Sequence, residues 1–203
     1  MKEKFTIGLT GGIGSGKSRI LELLKQEYGA VIIETDAVAK KLEEPGQPGF
    51  AALAEAFGDG IISEDGNLRK DLLTHMVFGN QETRQKINSL IHPLVWDYVK
   101  QQAGKGGFSI LVAESALLLE NPDDIFHELW YVYTARETRI QRLMKSRGYT
   151  REKCCLMMQG QPSEEEYRRH ADFILDNNGS LDTVRGQIDR KLQPHFGRGI
   201  SSR

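Results

Sequence analysis

The chain has 203 residues, of which 39% are hydrophobic and 27% charged, with a formal net charge of −1. That is enough chain to bury a core, and the near-neutral balance excludes a global drive toward nucleic acid or an acidic membrane, so any polyanion site has to be local. No apolar run approaches the roughly 18 residues of a membrane span, and glycine interrupts the apolar stretch after Lys4 too soon for a signal peptide.

In chain order, short β-like runs alternate with longer helical patterns, which predicts a parallel α/β sheet. The first strand is Phe5–Leu9, and the helix Lys17–Tyr28 follows with Ile20, Leu21, Leu23 and Leu24 as its apolar stripe. The second strand is Ala30–Ile33. The chain then runs too far for one crossover helix, through the turn-forming "EPGQPGF" (44–50), "FGDGIISEDGN" (57–67) and "GKGG" (104–107). Helical segments Leu72–Phe78, Arg84–Ile91 and Leu94–Gln102 lie between these turns. Residues 37–108 therefore read as a mostly helical insertion on the C-terminal edge of the sheet, with 1–36 and 109–203 as the core. His92-Pro93 falls between two of its helical patterns and reads as a helix break, with proline in the first turn of the next helix. The remaining strands are Ser109–Ala113, Leu129–Tyr133 and Asp172–Leu175. Between the last two, Arg136–Arg151 carries five arginines and Lys145 against one glutamate. A solvated helix face is the ordinary reading of such a run; after a fourth strand it also fits a lid, near 145–165, closing over phosphates. Gly197–Arg203 is rich in glycine and serine and reads as a frayed tail. Cys154 and Cys155 are adjacent and are the only cysteines, a poor disulfide framework. His75, His92, His127, His170 and His195 show no ligand spacing for zinc. The expectation is a cytoplasmic protein with reduced thiols.

The strongest motif follows the first strand. Gly11, Gly16, Lys17 and Ser18 fit G-x-x-x-x-G-K-[ST]. Glycines let the backbone curl so that successive N–H groups, across Gly12, Ile13, Gly14, Ser15 and Gly16, point at phosphate oxygens. The helix starting near Lys17 adds its positive end. Lys17 can reach the β- and γ-phosphates, the Ser18 hydroxyl can bind Mg²⁺, and Arg19 offers its backbone N–H to the α-phosphate. A chance match somewhere in such a chain has odds of roughly one in a hundred, and the flanking strand and helix lower them further. No guanine-reading N-K-x-D is present, and Ile110-Leu111-Val112-Ala113 ends in Glu114 rather than Asp. Small size and a helical insertion after the second strand suggest a kinase that places a small acceptor beside bound ATP. In "VIIETDAVAKKL", Asp36 sits where the second strand leaves the sheet. Two readings are open: Asp36 accepts a proton from an acceptor hydroxyl, or Thr35 or Asp36 caps the helix that begins near Ala37.

This ordered set resembles the dephospho-coenzyme A kinase family almost end to end. "IGLTGGIGSGKS" is similar to the family's opening, and "ETDAVAKKL" to its D-A-D-x-x-A segment with Asp36 at the second aspartate. "LIHPLV" (90–95), "LLLE" (117–120) and "ADFILDNNGS" (171–180) match its H-P, P-L-L-x-E and A-D-x-V-I-D-N-x-G segments. The resemblance implies a P-loop fold of the nucleotide-kinase type, with a five-stranded parallel sheet, a helical acceptor-binding insertion and a lid. It implies transfer of the ATP γ-phosphate to the ribose 3′-hydroxyl of dephospho-coenzyme A, with Mg²⁺ and no obligatory protein partner. Asp36 is then the base, and Lys17 with lid arginines neutralises charge. Lys70 and His92 help to hold the acceptor. Departures from the family pattern are Glu34 and Thr35 for its first Asp and Ala, Glu114 for Asp, Ala116 for Pro and Lys70 for Arg. Ser146-Arg147 stands where Arg precedes another polar residue, which makes Arg142 and Arg147 the lid candidates ahead of Arg139. Tyr167 occupies a position where a lid lysine is common, with Arg168 as its substitute. Other acceptors on the same fold, or a module that binds nucleotide without catalysis, are the competing readings.

Overall fold

A computed structural model describes residues 4–116, 118 and 125–197. Most of "LLLE", including Glu120, and the tail beyond Gly197 lie outside the described residues. Five strands form one sheet in the order β2-β3-β1-β4-β5: β1 (Phe5–Thr10), β2 (Val31–Glu34), β3 (Ile110–Glu114), β4 (Glu128–Tyr133) and β5 (Phe173–Asp176). β1 runs parallel to both β3 and β4, and β4 runs parallel to β5. Every residue of β1 is buried, the continuous apolar pattern of a strand covered on both faces. The chain leaves β1 toward one side of the sheet and returns on the other. The C-terminal ends of β1, β3 and β4 flank that reversal, the place where ligands of open α/β sheets bind.

Contacts divide the chain into two units: one runs to Ile32 and resumes at Gly106, and the other is Ile33–Lys105. The core of the first is built on β1, β3 and β4. α1 (Lys17–Tyr28) contributes Ile20, Leu21, Leu23 and Leu24, and α9 (Leu181–Phe196) contributes Val184, Ile188 and Leu192 at i, i+4 and i+8. Side chains of β4 alternate between faces. Trp130 and Val132 join that core. On the opposite face Tyr131 stacks on Tyr167 of α8 (Glu164–His170), with ring centroids 4.8 Å apart and planes 7° apart. Tyr167 is thus buried as packing rather than placed as a lid contact, because an aromatic ring there continues the Tyr131 stack. Its neighbour Arg168 is likewise occupied: it lies over the Tyr133 ring at 4.6 Å and donates to Glu164 at 2.7 Å. α6 (Arg136–Arg147) and α7 (Arg151–Gln159) pack together through Ile140, Leu143 and Cys154. α8 begins with a reciprocal cap between Ser163 and Glu166. Ser163→Ala is expected to lower stability by about 1 kcal/mol, read from the denaturant midpoint at unchanged slope.

The second unit holds α2 (Thr35–Leu42), α3 (Pro48–Phe57), α4 (Lys70–Val77) and α5 (Gln81–Lys105). α5 packs against the other three. The helix break read at His92-Pro93 is absent: α5 runs unbroken through Pro93. Proline removes one backbone N–H, but Ile91, Val95 and Val99 stay buried on one side of the helix across that point, and packing outweighs the lost bond. Among the described residues no helix is long and apolar enough to cross a membrane.

Candidate active site

The loop after β1 turns sharply into α1. Gly14 and Gly16 have φ of 77° and 93°, left-handed backbone that favours glycine. A Cβ on Gly16 would also stand 2.4 Å from Nδ2 of Asn177. Gly16 is the N-cap of α1, without a side-chain cap, so the positive end of the helix opens onto the loop. Lys17 folds back over it: Nζ donates to the Gly11 carbonyl at 2.7 Å and lies 3.4 Å from the Glu114 carboxylate at the end of β3. Ser18 and Arg19 are exposed in the first turn. The hydroxyls of Thr10 and Ser15 are buried without a hydrogen-bond partner among the described residues, a costly arrangement.

The far side of the loop is held by side chains distant in sequence. The Ser15 carbonyl accepts from Asn177 Nδ2 at 2.7 Å, from the Thr134 hydroxyl at 2.9 Å and from Arg142 Nη1 at 3.3 Å. Arg142 also donates to the Asn177 carbonyl at 2.8 Å. Its Nη1 lies 3.4 Å from where a Cβ on Gly16 would stand, so the guanidinium both braces the loop and puts positive charge beside it. Arg147 is exposed at the C-terminal end of α6. Arg139, ranked third among the lid arginines on sequence, is the one that meets the loop tip: Nε donates to the Ile13 carbonyl at 2.7 Å. Burial pulls its guanidinium below the ordinary value.

On the helical unit, Asp36 is the second residue of α2. The N-cap is Glu34, with no side-chain capping bond, so neither Thr35 nor Asp36 caps the helix. Asp36 is exposed in the first turn, where its charge complements the helix dipole. One turn further along α2 lies Lys40, and Glu43 is the C-cap of that helix; both line a cavity of about 520 Å³. Its floor is apolar (Leu53, Leu73, Val77, Ile87), and Lys70 and Arg84 add positive charge. Burial pushes the Glu43 carboxyl above its usual range, against the pull of Lys70 and Lys40. Phe78, 86% exposed, also borders the cavity. His92 is half-buried in the middle of α5 and is not among the lining residues.

A model of the dephospho-CoA kinase family matches residues 5–183, from the first residue of β1 through the loop and helical unit into α9. The chain belongs to the dephospho-CoA kinase family. It is 36% identical over 191 residues to a dephospho-CoA kinase of Carboxydothermus hydrogenoformans, covering 92% of each chain. To that of Corynebacterium jeikeium it is 38% identical over 189 residues, covering 91% of this chain and 96% of the relative. Among solved structures it is similar to TT1252 from Thermus thermophilus, with a TM-score of 0.77 at 27% identity over 95% of this chain and 98% of that one. As a kinase family member, the chain binds ATP.

The sequence of this dephospho-CoA kinase family member does not by itself assign Asn177, Thr134 or Gln161 to the site. The family-like "ADFILDNNGS" contains Asn177 and flags its segment, though not its bond to Ser15. Thr134 and Gln161 leave no local signal, because their partners lie 119 and 148 residues away.

Proposed function

We propose that this chain transfers the γ-phosphate of ATP to the ribose 3′-hydroxyl of dephospho-coenzyme A, releasing ADP and coenzyme A. The observation that carries the reading is the family match across 5–183, which includes a phosphate loop complete in glycines, lysine and helix N-terminus. The loop N–H groups and Lys17 hold the β- and γ-phosphates. Arg142, already beside Gly16, offsets charge on the transferring group, and Arg147 joins it from the end of α6. The acceptor oxygen attacks phosphorus in line; the new O–P bond forms as the bond to the β-phosphate oxygen breaks, and that electron pair leaves with ADP. Asp36 takes the hydroxyl proton. Its position at the start of a helix without a capping duty leaves the carboxylate available for this.

Among the described residues no cluster of three or more His, Cys, Asp or Glu suits a metal cage. That fits Mg²⁺, which is usually held by few protein oxygens together with substrate phosphates and water. The Ser18 hydroxyl, with Glu114 at the end of β3, supplies hard oxygen donors of that kind. Bound there, the ion would offset charge on the phosphates.

The cavity on the helical unit suits the rest of the acceptor: an apolar floor for its uncharged arm and Lys40, Lys70 and Arg84 for its diphosphate. Lys70 is a point charge rather than a bidentate fork. Lys70→Glu is expected to raise KM for dephospho-coenzyme A by about tenfold or more with KM for ATP unchanged, and equal changes in both would remove Lys70 from the acceptor site. An acceptor panel tests the function as a whole. ADP release should depend on dephospho-coenzyme A, with shikimate and nucleoside monophosphates giving the background rate.

A further inference from the structure

The loop tip is gripped from the segment joining α7 to α8, and the grip converges on one residue. The Ile13 N–H donates to Oε1 of Gln161 at 2.8 Å, while the Ile13 carbonyl accepts from Arg139 Nε at 2.7 Å. Arg139 Nη2 closes the triangle by donating to the same Gln161 oxygen at 3.0 Å. The guanidinium lies so close over Gly12 that a Cβ there would stand 2.2 Å from Nη2. The Ile13 side chain packs on Ile140, Leu143 and Cys154 of α6 and α7, so its backbone and side chain are held by α6, α7 and the segment that follows them.

Gln161 is itself placed from both ends. Its N–H donates to the Met158 carbonyl at the end of α7. Two residues on, the Ser163–Glu166 cap starts α8, which Tyr167 anchors to β4. A glutamine carbonyl is well matched to this position, being a neutral acceptor with two lone pairs, able to take the backbone N–H and the guanidinium together.

We propose that Gln161, acting with Arg139, is a positioning residue for nucleotide binding: it sets the orientation of the backbone at Ile13 and thereby couples the α7–α8 junction to the shape of the phosphate loop. The proposal rests on the reading of that loop as the ATP site, and not on the acceptor. The loop N–H groups bind phosphate only when they point inward together. A backbone free to rotate at the tip would spend part of its time with a carbonyl turned toward an anion.

The test compares Gln161→Ala and Gln161→Glu with the parent protein, measuring Mg²⁺–ATP affinity by calorimetry and backbone amide exchange by NMR. Gln161→Ala is expected to weaken ATP binding about tenfold and to speed exchange at the Ile13 amide by a similar factor, while the amides of Ile7 and Leu9 in β1 exchange as before. Gln161→Glu keeps an oxygen acceptor beside Arg139 and should stay within about threefold of the parent in both readouts. Two results overturn the proposal. One is unchanged affinity and unchanged Ile13 exchange in Gln161→Ala. The other is acceleration spread equally over Ile13 and the β1 amides, including outright failure to fold, which would make Gln161 an ordinary packing residue. Parent protein that binds no ATP fails the reading of the loop instead, which the same titration reports separately.

Discussion

Asp36→Asn is expected to lower turnover by at least about a hundredfold while leaving Mg²⁺–ATP affinity within about twofold of the parent, the scale of losing a positioned general base. Asparagine keeps the size and the polar end of the side chain but cannot accept the proton at the required step. Because Asp36 makes no capping bond, and only its charge at the start of α2 is lost, the stability cost should stay below about 1 kcal/mol. The two effects therefore separate cleanly: a rate loss without a matching shift in the unfolding midpoint assigns Asp36 to the chemistry. A variant that turns over at nearly the parent rate would remove it from that role, whatever its affinity for nucleotide.

The second large effect is expected at Lys17. Its ammonium spans the loop, bonded to the Gly11 carbonyl and 3.4 Å from Glu114, and the side chain is mostly buried. Lys17→Met keeps the aliphatic stem and deletes the charge. Turnover should fall by about a hundred- to a thousandfold, since a cation in a shielded site stabilises charge that grows in the transition state more than charge already present in the ground state. ATP affinity should fall too, by a smaller factor, because the loop N–H groups and the start of α1 still bind phosphate. Single-turnover rates set against calorimetric affinities would check this split. An affinity loss with an unchanged single-turnover rate at saturating ATP would mean that Lys17 contributes uniform binding only.

How much of this could be read from the chain follows the range of the interactions. The strands were legible because each is a short apolar run bounded by turn residues, and observed ends fall within one residue or so of the pattern, as with Ile110–Glu114 against Ser109–Ala113. The phosphate loop was legible because backbone curvature demands glycine and the lysine must follow at fixed spacing. Pro93 misled for the opposite reason. Local chemistry says that proline ends a helix, yet the burial of Ile91, Val95 and Val99 on one stripe is a tertiary fact and it prevails. The role of Asp36 as a cap failed likewise by a small shift: α2 starts at Thr35 rather than near Ala37, which moves Asp36 past the capping position. The bonds that support the loop were not legible, even where the segment of Asn177 was flagged and Arg139 was a candidate. Asn177, Thr134, Arg139 and Gln161 reach it across more than a hundred residues of chain, and single polar side chains have no periodicity to announce bonds of that range. Among the arginines, residue type alone could not rank Arg139 against Arg147; what distinguishes them is that one is folded against Ile13 and the other is exposed at a helix end.

Product identity bears most directly on the central claim. The purified protein is incubated with Mg²⁺–ATP and dephospho-coenzyme A, with a parallel tube lacking acceptor, and the products are separated and weighed by mass spectrometry. Coenzyme A and ADP in equal amounts are expected in the first tube, with almost no ADP in the second. ADP without coenzyme A would contradict the assigned acceptor, and no ADP in either tube would contradict the assignment of phosphoryl transfer to this site.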